Sequence, residues 1–185
     1  MQTDQTGAPR YYDGVWMGLH WLIALLVGLQ FVTKAISPGA FPGATEDALN
    51  AWHLAIGPTI LLLMLVRLGW RLTHVPPPVP ADLATPLQFV ARATHWAFYG
   101  LLIVIPVLGW VSASGFGARP TILGVVPLPM IAPESKSLAE AWGGVHGVLA
   151  WVVLGLIGLH ICGALYHLLA KDDGVASRML PFGRL

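Results

Sequence analysis

His146 and His160 stand fourteen residues apart in one apolar stretch. Neutral imidazoles are metal ligands, and at this spacing they can serve two centres stacked along a single helix. Fourteen residues is close to four helical turns. At about 100° per residue the two rings point the same way to within roughly 40°, and they lie about 21 Å apart along the axis. A bilayer hydrocarbon core is about 30 Å thick, so one helix offers one imidazole near each face. Two further apolar segments supply His20 and His53. A six-coordinate haem needs two imidazoles at equal depth on facing helices. Two stacked haems across a membrane are the chemistry this set of residues suits.

Composition sets the class of element that must carry them. The 185-residue chain is 56% hydrophobic and 10% charged, with a mean hydropathy of +0.69. A soluble domain carries about 25% charged residues, so this chain has too few to cover a water-facing surface. Its length suits one domain, residues 1–185, with four spans and short connections. The net charge of +1 says nothing about nucleic acid, and no basic run or aromatic-basic interleaving suggests it as a partner. The single cysteine, Cys162, excludes an intrachain disulfide and a Cys-x-x-Cys-His attachment, so any haem is held non-covalently apart from its axial bonds. The N-terminus is polar and the first apolar run is too long for a signal-peptide core.

The spans are expected at about 15–36, 49–70, 90–112 and 145–170, each long enough to cross a bilayer. Ser37-Pro-Gly, Pro76-Pro-Pro, Gly115-Phe-Gly-Ala-Arg-Pro and Lys171-Asp-Asp-Gly end them. Pro58 and Pro106 fall inside spans, where a neighbouring helix can satisfy the freed carbonyl, so kinks are expected there. The fold class is therefore all-α, an integral membrane four-helix bundle. Arg10, Arg67, Arg71, Arg92, Lys171, Arg178 and Arg184 gather on one side, against Lys34, Arg119 and Lys136 on the other. The positive-inside rule puts both termini in the cytoplasm. The long connection, about 113–144, lies outside, and its Ser135–Trp142 stretch suits a short interfacial helix. Seven of the tryptophans, at 16, 21, 52, 70, 96, 110 and 142, fall near span ends as an interfacial belt does, and Trp151 sits deeper.

Orientation then fixes depth. His20 lies near the inner face, His53 near the outer one, His146 outer and His160 inner. The natural pairs are His20 with His160 and His53 with His146. Gly18, Gly143, Gly144, Gly147, Gly158 and Gly163 can let a porphyrin lie against helix backbone. His95 is a rival for the inner iron, and depth leaves His95–His160 and His95–His167 pairs open. His95 and His167 can alternatively serve as a protonation site for a quinone at the inner edge. His74 reads as a solvated interfacial side chain. Arg67, Arg71 and Arg92 lie where carboxylates of an inner haem can project, or serve as ordinary positive-inside anchors. Lys34, Arg119 and Lys136 can pair with outer carboxylates or attract a small anion.

The stretches Gly18-Leu-His20-Trp, Asn50-Ala-Trp-His53, Val66-Arg-Leu-Gly-Trp-Arg71, Ala93-Thr-His95-Trp, Pro106-Val-Leu-Gly-Trp, Trp142-Gly-Gly-Val-His146, Gly158-Leu-His160 and Leu165-Tyr-His167 occur in this order and spacing. In them the chain resembles the bacterial cytochrome b561 family from about Tyr11 to Leu185. The resemblance implies two b-type haems, on His20 with His160 and on His53 with His146, in a multi-pass protein of the bacterial inner membrane. It places His95 and His167 outside the axial set, near an inner quinone pocket. It implies electron transfer between an outer one-electron donor, superoxide, and membrane ubiquinone, an oxidoreductase activity. The alternative is a quinol-linked cytochrome b subunit that exchanges electrons with a partner redox protein.

Overall fold

A computed structural model describes residues 12–78, 84–171 and 173–180. Arg10 and Arg184 of the expected basic side lie outside the described residues. Four long helices dominate: α1 (Gly14–Ala35), α2 (Glu46–Thr73), α3 (Thr85–Gly115) and α4 (Lys136–Leu165). All four are long and apolar enough to cross a membrane. The chain is a four-helix membrane bundle.

Local chemistry sets the helix ends. The Asp13 carboxylate accepts from the Trp16 amide and caps α1. Thr45 caps α2 through the Ala48 amide, with Glu46 and Asp47 in the first turn complementing the helix dipole. Pro86 opens α3, where its missing N–H costs nothing. Ser135 caps α4. At the other ends, Gly117 takes a left-handed φ of 73° just past α3, and extended His74 stops α2 ahead of Pro76. α2 and α3 continue through Pro58 and Pro106.

Three features differ from the sequence expectation. The Ser135–Trp142 stretch is continuous with the fourth helix, which begins at Lys136, because Ser135 supplies the cap and the Gly143-Gly144 step stays helical where it packs on Ser112 of α3. After Leu165 the helix widens into a π-helical turn, Tyr166–Lys171, followed by a 3-10 turn, Ala176–Arg178. The α3–α4 connection also holds a small antiparallel hairpin, β1 (Thr121–Ile122) and β2 (Val126–Pro127), with Thr121 opposite Pro127 and Ile122 opposite Val126.

Packing runs in sequence order, α1 on α2, α2 on α3 and α3 on α4. The core is Ile23 and Val27 of α1, Ile56, Ile60 and Met64 of α2, and Tyr99 of α3. α4 contributes only Ala139 and Val153 to the buried set. It leans on α3 through close small-residue contacts. A Cβ on Gly115 would lie 2.9 Å from Ala139 Cβ, and one on Gly143 would lie 2.9 Å from Ser112 Oγ. Ser112 Oγ itself donates to the Ala139 carbonyl at 2.8 Å. Gly143 is thus a helix-packing glycine, not part of a porphyrin cradle. Trp16 is likewise buried, in edge contact with Tyr12, and does not join an interfacial belt.

Candidate haem-binding sites

The histidines meet at two levels of the bundle. At the end where the α1–α2 and α3–α4 connections lie, His53 of α2 faces His146 of α4, with ring centres 6.0 Å apart and planes at 72°. Toward the end holding both termini, His20 of α1 faces His160 of α4 at 6.1 Å and 67°. Two imidazoles on one metal, each bound through a ring nitrogen at about 2.0–2.1 Å, hold their ring centres roughly 6 Å apart. Both pairs therefore fit a shared iron.

The His53–His146 rings are held by their second nitrogens. His146 Nδ1 donates to the Ile105 carbonyl at 2.9 Å, which leaves Nε2 with its lone pair. Gly109, one turn on from Ile105, makes room for the ring: a Cβ there would lie 3.1 Å from both His146 Cε1 and Nδ1. Thr33 Oγ1 donates to the Gln30 carbonyl at 2.8 Å. Its 3.2 Å contact with His53 Nδ1 is then one in which Thr33 accepts, and His53 also keeps a free Nε2. Gln30 Nε2 donates to the His53 carbonyl at 3.1 Å. Anchoring a metal-binding imidazole through its other nitrogen fixes tautomer and orientation.

The second level is more crowded. His160 meets His95 at 5.8 Å as well as His20, and Phe98 edges onto it at 5.6 Å. His20, His95 and His160 make no hydrogen bond among the described residues. Ring spacing alone thus leaves His95 beside His20 as a partner for His160. His167 does not join them: it sits in the π-helical turn and binds Asp173, Nδ1 to Oδ2, at 2.7 Å. Burial would raise the Asp173 carboxyl, but the bonds from His167 and the Val175 amide outweigh it and hold the group below its ordinary value. His74 stacks on Trp70 at 3.7 Å, at the end of α2.

Cations gather at this level. Arg67 Nη1 donates to the Trp16 carbonyl at 3.1 Å and lies over the Trp16 ring. Arg71 lies 5.0 Å over Trp96 and 5.6 Å over Tyr99. Arg92 is exposed and makes no contact of this kind among the described residues. At the opposite end Lys34 Nζ donates to Asn50 Oδ1 at 2.7 Å. Lys136 pairs loosely with Glu140 at 3.8 Å, both side chains well exposed. Exposed Arg119 has no hydrogen bond or ion pair among the described residues.

Two tests bear on whether haem fits. A Cβ at Gly18, Gly144, Gly147, Gly158 or Gly163 would meet no atom within 4 Å, so the backbone beside each histidine pair is open to a flat ring. Two buried polar atoms also lack a partner, Gln30 Oε1 beside the His53 level and Tyr99 Oη beside Arg71. An unpartnered phenol hydroxyl on a ring that a guanidinium covers suits a carboxylate such as a haem propionate. The donors and their surroundings fit a haem at each level. Thr33 and Gln30 escaped sequence reasoning, while Phe98, Tyr99, Gly109 and Asp173 stood in motif or span-end stretches without a role of their own.

A family model described as prokaryotic cytochrome b561 matches residues 11–182. Among similar proteins, "Cytochrome b561 homolog 2" of Escherichia coli (strain K12) is 30% identical over 182 residues, covering 95% of this chain and 94% of that one. "Probable superoxide oxidase CybB" of Yersinia pestis is 28% identical, covering 93% and 97%. "Cytochrome b562" of Cereibacter sphaeroides is 25% identical, covering 91% and 94%.

Proposed function

The chain belongs to the prokaryotic cytochrome b561 family, and from that premise we propose that it conducts electrons across the membrane from superoxide at the outer face to ubiquinone at the inner one. Membership makes it a haem-b-binding, multi-pass electron-transfer protein of the bacterial inner membrane. The observation that carries the finer reading is the pair of histidine contacts, His53–His146 and His20–His160, each at the width of one shared iron and at opposite levels of the bundle. Haem b, when bound, supplies reversible one-electron chemistry.

The residues divide the work. His53 and His146 would hold a haem at the outer level, presented by Thr33 and the Ile105 carbonyl. His20 and His160 would hold one at the inner level, with His95 beside them. Arg67, Arg71 and Arg92 would bind its carboxylates, with Tyr99 near Arg71. Arg67, Arg71, Arg92, Lys171 and Arg178 share the end that holds the termini, so both termini face the cytoplasm. His95 and His167 serve ubiquinone at that edge, and Asp173 positions His167. Two superoxide anions each give up one electron and leave as dioxygen. Ubiquinone takes up both electrons and two protons from the inner side, and becomes ubiquinol. Lys34, Arg119 and Lys136 attract the anion at the outer face, Arg119 most directly because it is free of partners among the described residues.

The name of the Yersinia relative supports superoxide as donor. A second reading has the chain pass quinol electrons to a partner redox protein. The acidic neighbours of Lys136, Glu140 in contact and Glu134 nearby in sequence, favour it by weakening the pull on an anion. A superoxide pulse given to purified, anaerobic, oxidised protein separates the two. The proposal expects sharp b-type absorption bands that rise with superoxide and fade when ubiquinone is added. Bands that respond to quinol and not to superoxide would replace it with the subunit reading. Arg119→Glu with Lys136→Glu should slow the superoxide phase and flatten its salt dependence, and an unchanged rate would remove these residues from anion capture.

A further inference from the structure

The α3–α4 connection does not stay at the bundle end. The Leu123 amide donates to Thr59 Oγ1 at 2.9 Å, and Thr59 lies deep within α2. Two polar markers bracket it. Asn50, held by Lys34, lies nine residues before it, and Arg67 eight residues after it, with no Asp, Glu, Lys or Arg between them. At 1.5 Å per residue Thr59 is about 13 Å from each marker, near the midpoint of the uncharged part of the span. The root of the connection is elsewhere. The Ile131 amide donates to Ser114 Oγ at 3.2 Å, at the very end of α3, and Trp110 Nε1 donates to the Pro129 carbonyl at 2.8 Å. From Ile131 to Val125 is six residues, long enough when extended to reach about 20 Å.

We infer that residues 119–131 form a re-entrant hairpin whose tip lies in the acyl chains of the leaflet on the connection side. The segment from Pro120 to Ala132 reads Pro-Thr-Ile-Leu-Gly-Val-Val-Pro-Leu-Pro-Met-Ile-Ala, without one charged residue. Its tip side chains face away from the bundle: Leu123 is 72% exposed and Val125 78%, more than Leu25 in the middle of α1 at 60%. Non-helical backbone in hydrocarbon survives only when its polar groups are satisfied by protein. Part of the hairpin's backbone is satisfied in this way. Leu128 N–H donates to the Pro120 carbonyl and Val125 N–H to the Ile122 carbonyl, Leu123 N–H to Thr59, and Pro120, Pro127 and Pro129 have no N–H to satisfy. Leu123 adopts φ 55° and Gly124 φ 73°, the tight left-handed turn that aims both arms back toward α3.

The test uses nitroxide labels on the full chain in phospholipid vesicles, in a Cys162→Ala background. Val125→Cys and Leu123→Cys are labelled separately, so that a poorly folding variant leaves the other to read. Leu25→Cys and Ser37→Cys provide lipid and water references. Collision with oxygen, which partitions into acyl chains, is compared with collision with a water-soluble nickel chelate. The expected result is an oxygen-to-nickel ratio at the hairpin equal to that of Leu25→Cys and well above that of Ser37→Cys. A ratio like that of Ser37→Cys would place the tip in water. Low collision with both reagents would place it against a second copy. Either outcome overturns the inference.

Discussion

Each histidine of the His53–His146 pair has two nitrogens with different tasks, and the structure separates them. The Ile105 carbonyl can only accept, so His146 Nδ1 carries the proton. Thr33 spends its own proton on Gln30 and accepts from His53. Removing such an outer partner commonly costs about 10–100-fold in metal affinity, and Thr33→Val should weaken haem retention at that level by this order in a haem-transfer titration against apomyoglobin. Gly109→Val should act more severely, since its Cβ already lies 3.1 Å from the ring. It should lower haem per chain with the helix signal intact in circular dichroism. The histidines themselves were legible because depth and spacing constrain them. Their seats were not, since a backbone carbonyl has no letter of its own and one threonine in α1 looks like any other. Beyond α4, Asp173 is held below its ordinary value of 3.8. A depressed carboxyl stabilises the fold fully above that value, and the contribution is lost as pH falls through the depressed one. Asp173→Asn should therefore flatten the acid limb of thermal stability below about pH 4 and leave the neutral region little more than offset.

At the scale of elements, helix length and breaker placement were readable, because a bilayer demands about 20 apolar residues per span and Pro-Gly clusters mark where each stops. The early start of α4 was less so. Ser135 reads as a cap for a short helix or for a long one, and the close seating of Ala139 on Gly115 and of Gly143 on Ser112 favours the long one. That contact leaves no room: Gly115→Leu should cost about 1–3 kcal/mol through overpacking, seen as a lower melting temperature in detergent, whereas Gly155→Ala, with nothing within 4 Å of its Cβ, should leave it unchanged. The π-helical turn that brings His167 to Asp173 has no sequence signature. The β1–β2 hairpin was hidden for another reason: its Pro and Gly content signals a loop, and loops are expected at the surface. Its lack of charge was the overlooked cue.

Across the whole molecule, the asymmetry of contacts explains how one helix of a small membrane chain can complete both histidine pairs. α1, α2 and α3 pack through a compact aliphatic core, while α4 leans on α3 and presents His146 and His160 toward α2 and α1. One helix thus serves both levels, and the pairs it completes are the central claim. The direct test is haem stoichiometry by the pyridine haemochrome assay on detergent-purified protein, for the native chain and for His146→Ala and His20→Ala. The account predicts two haems b per native chain and one in each variant, with the retained centre still low-spin. Two haems persisting in His20→Ala would transfer the inner axial role to His95, and one haem in the native chain would contradict the two-level account.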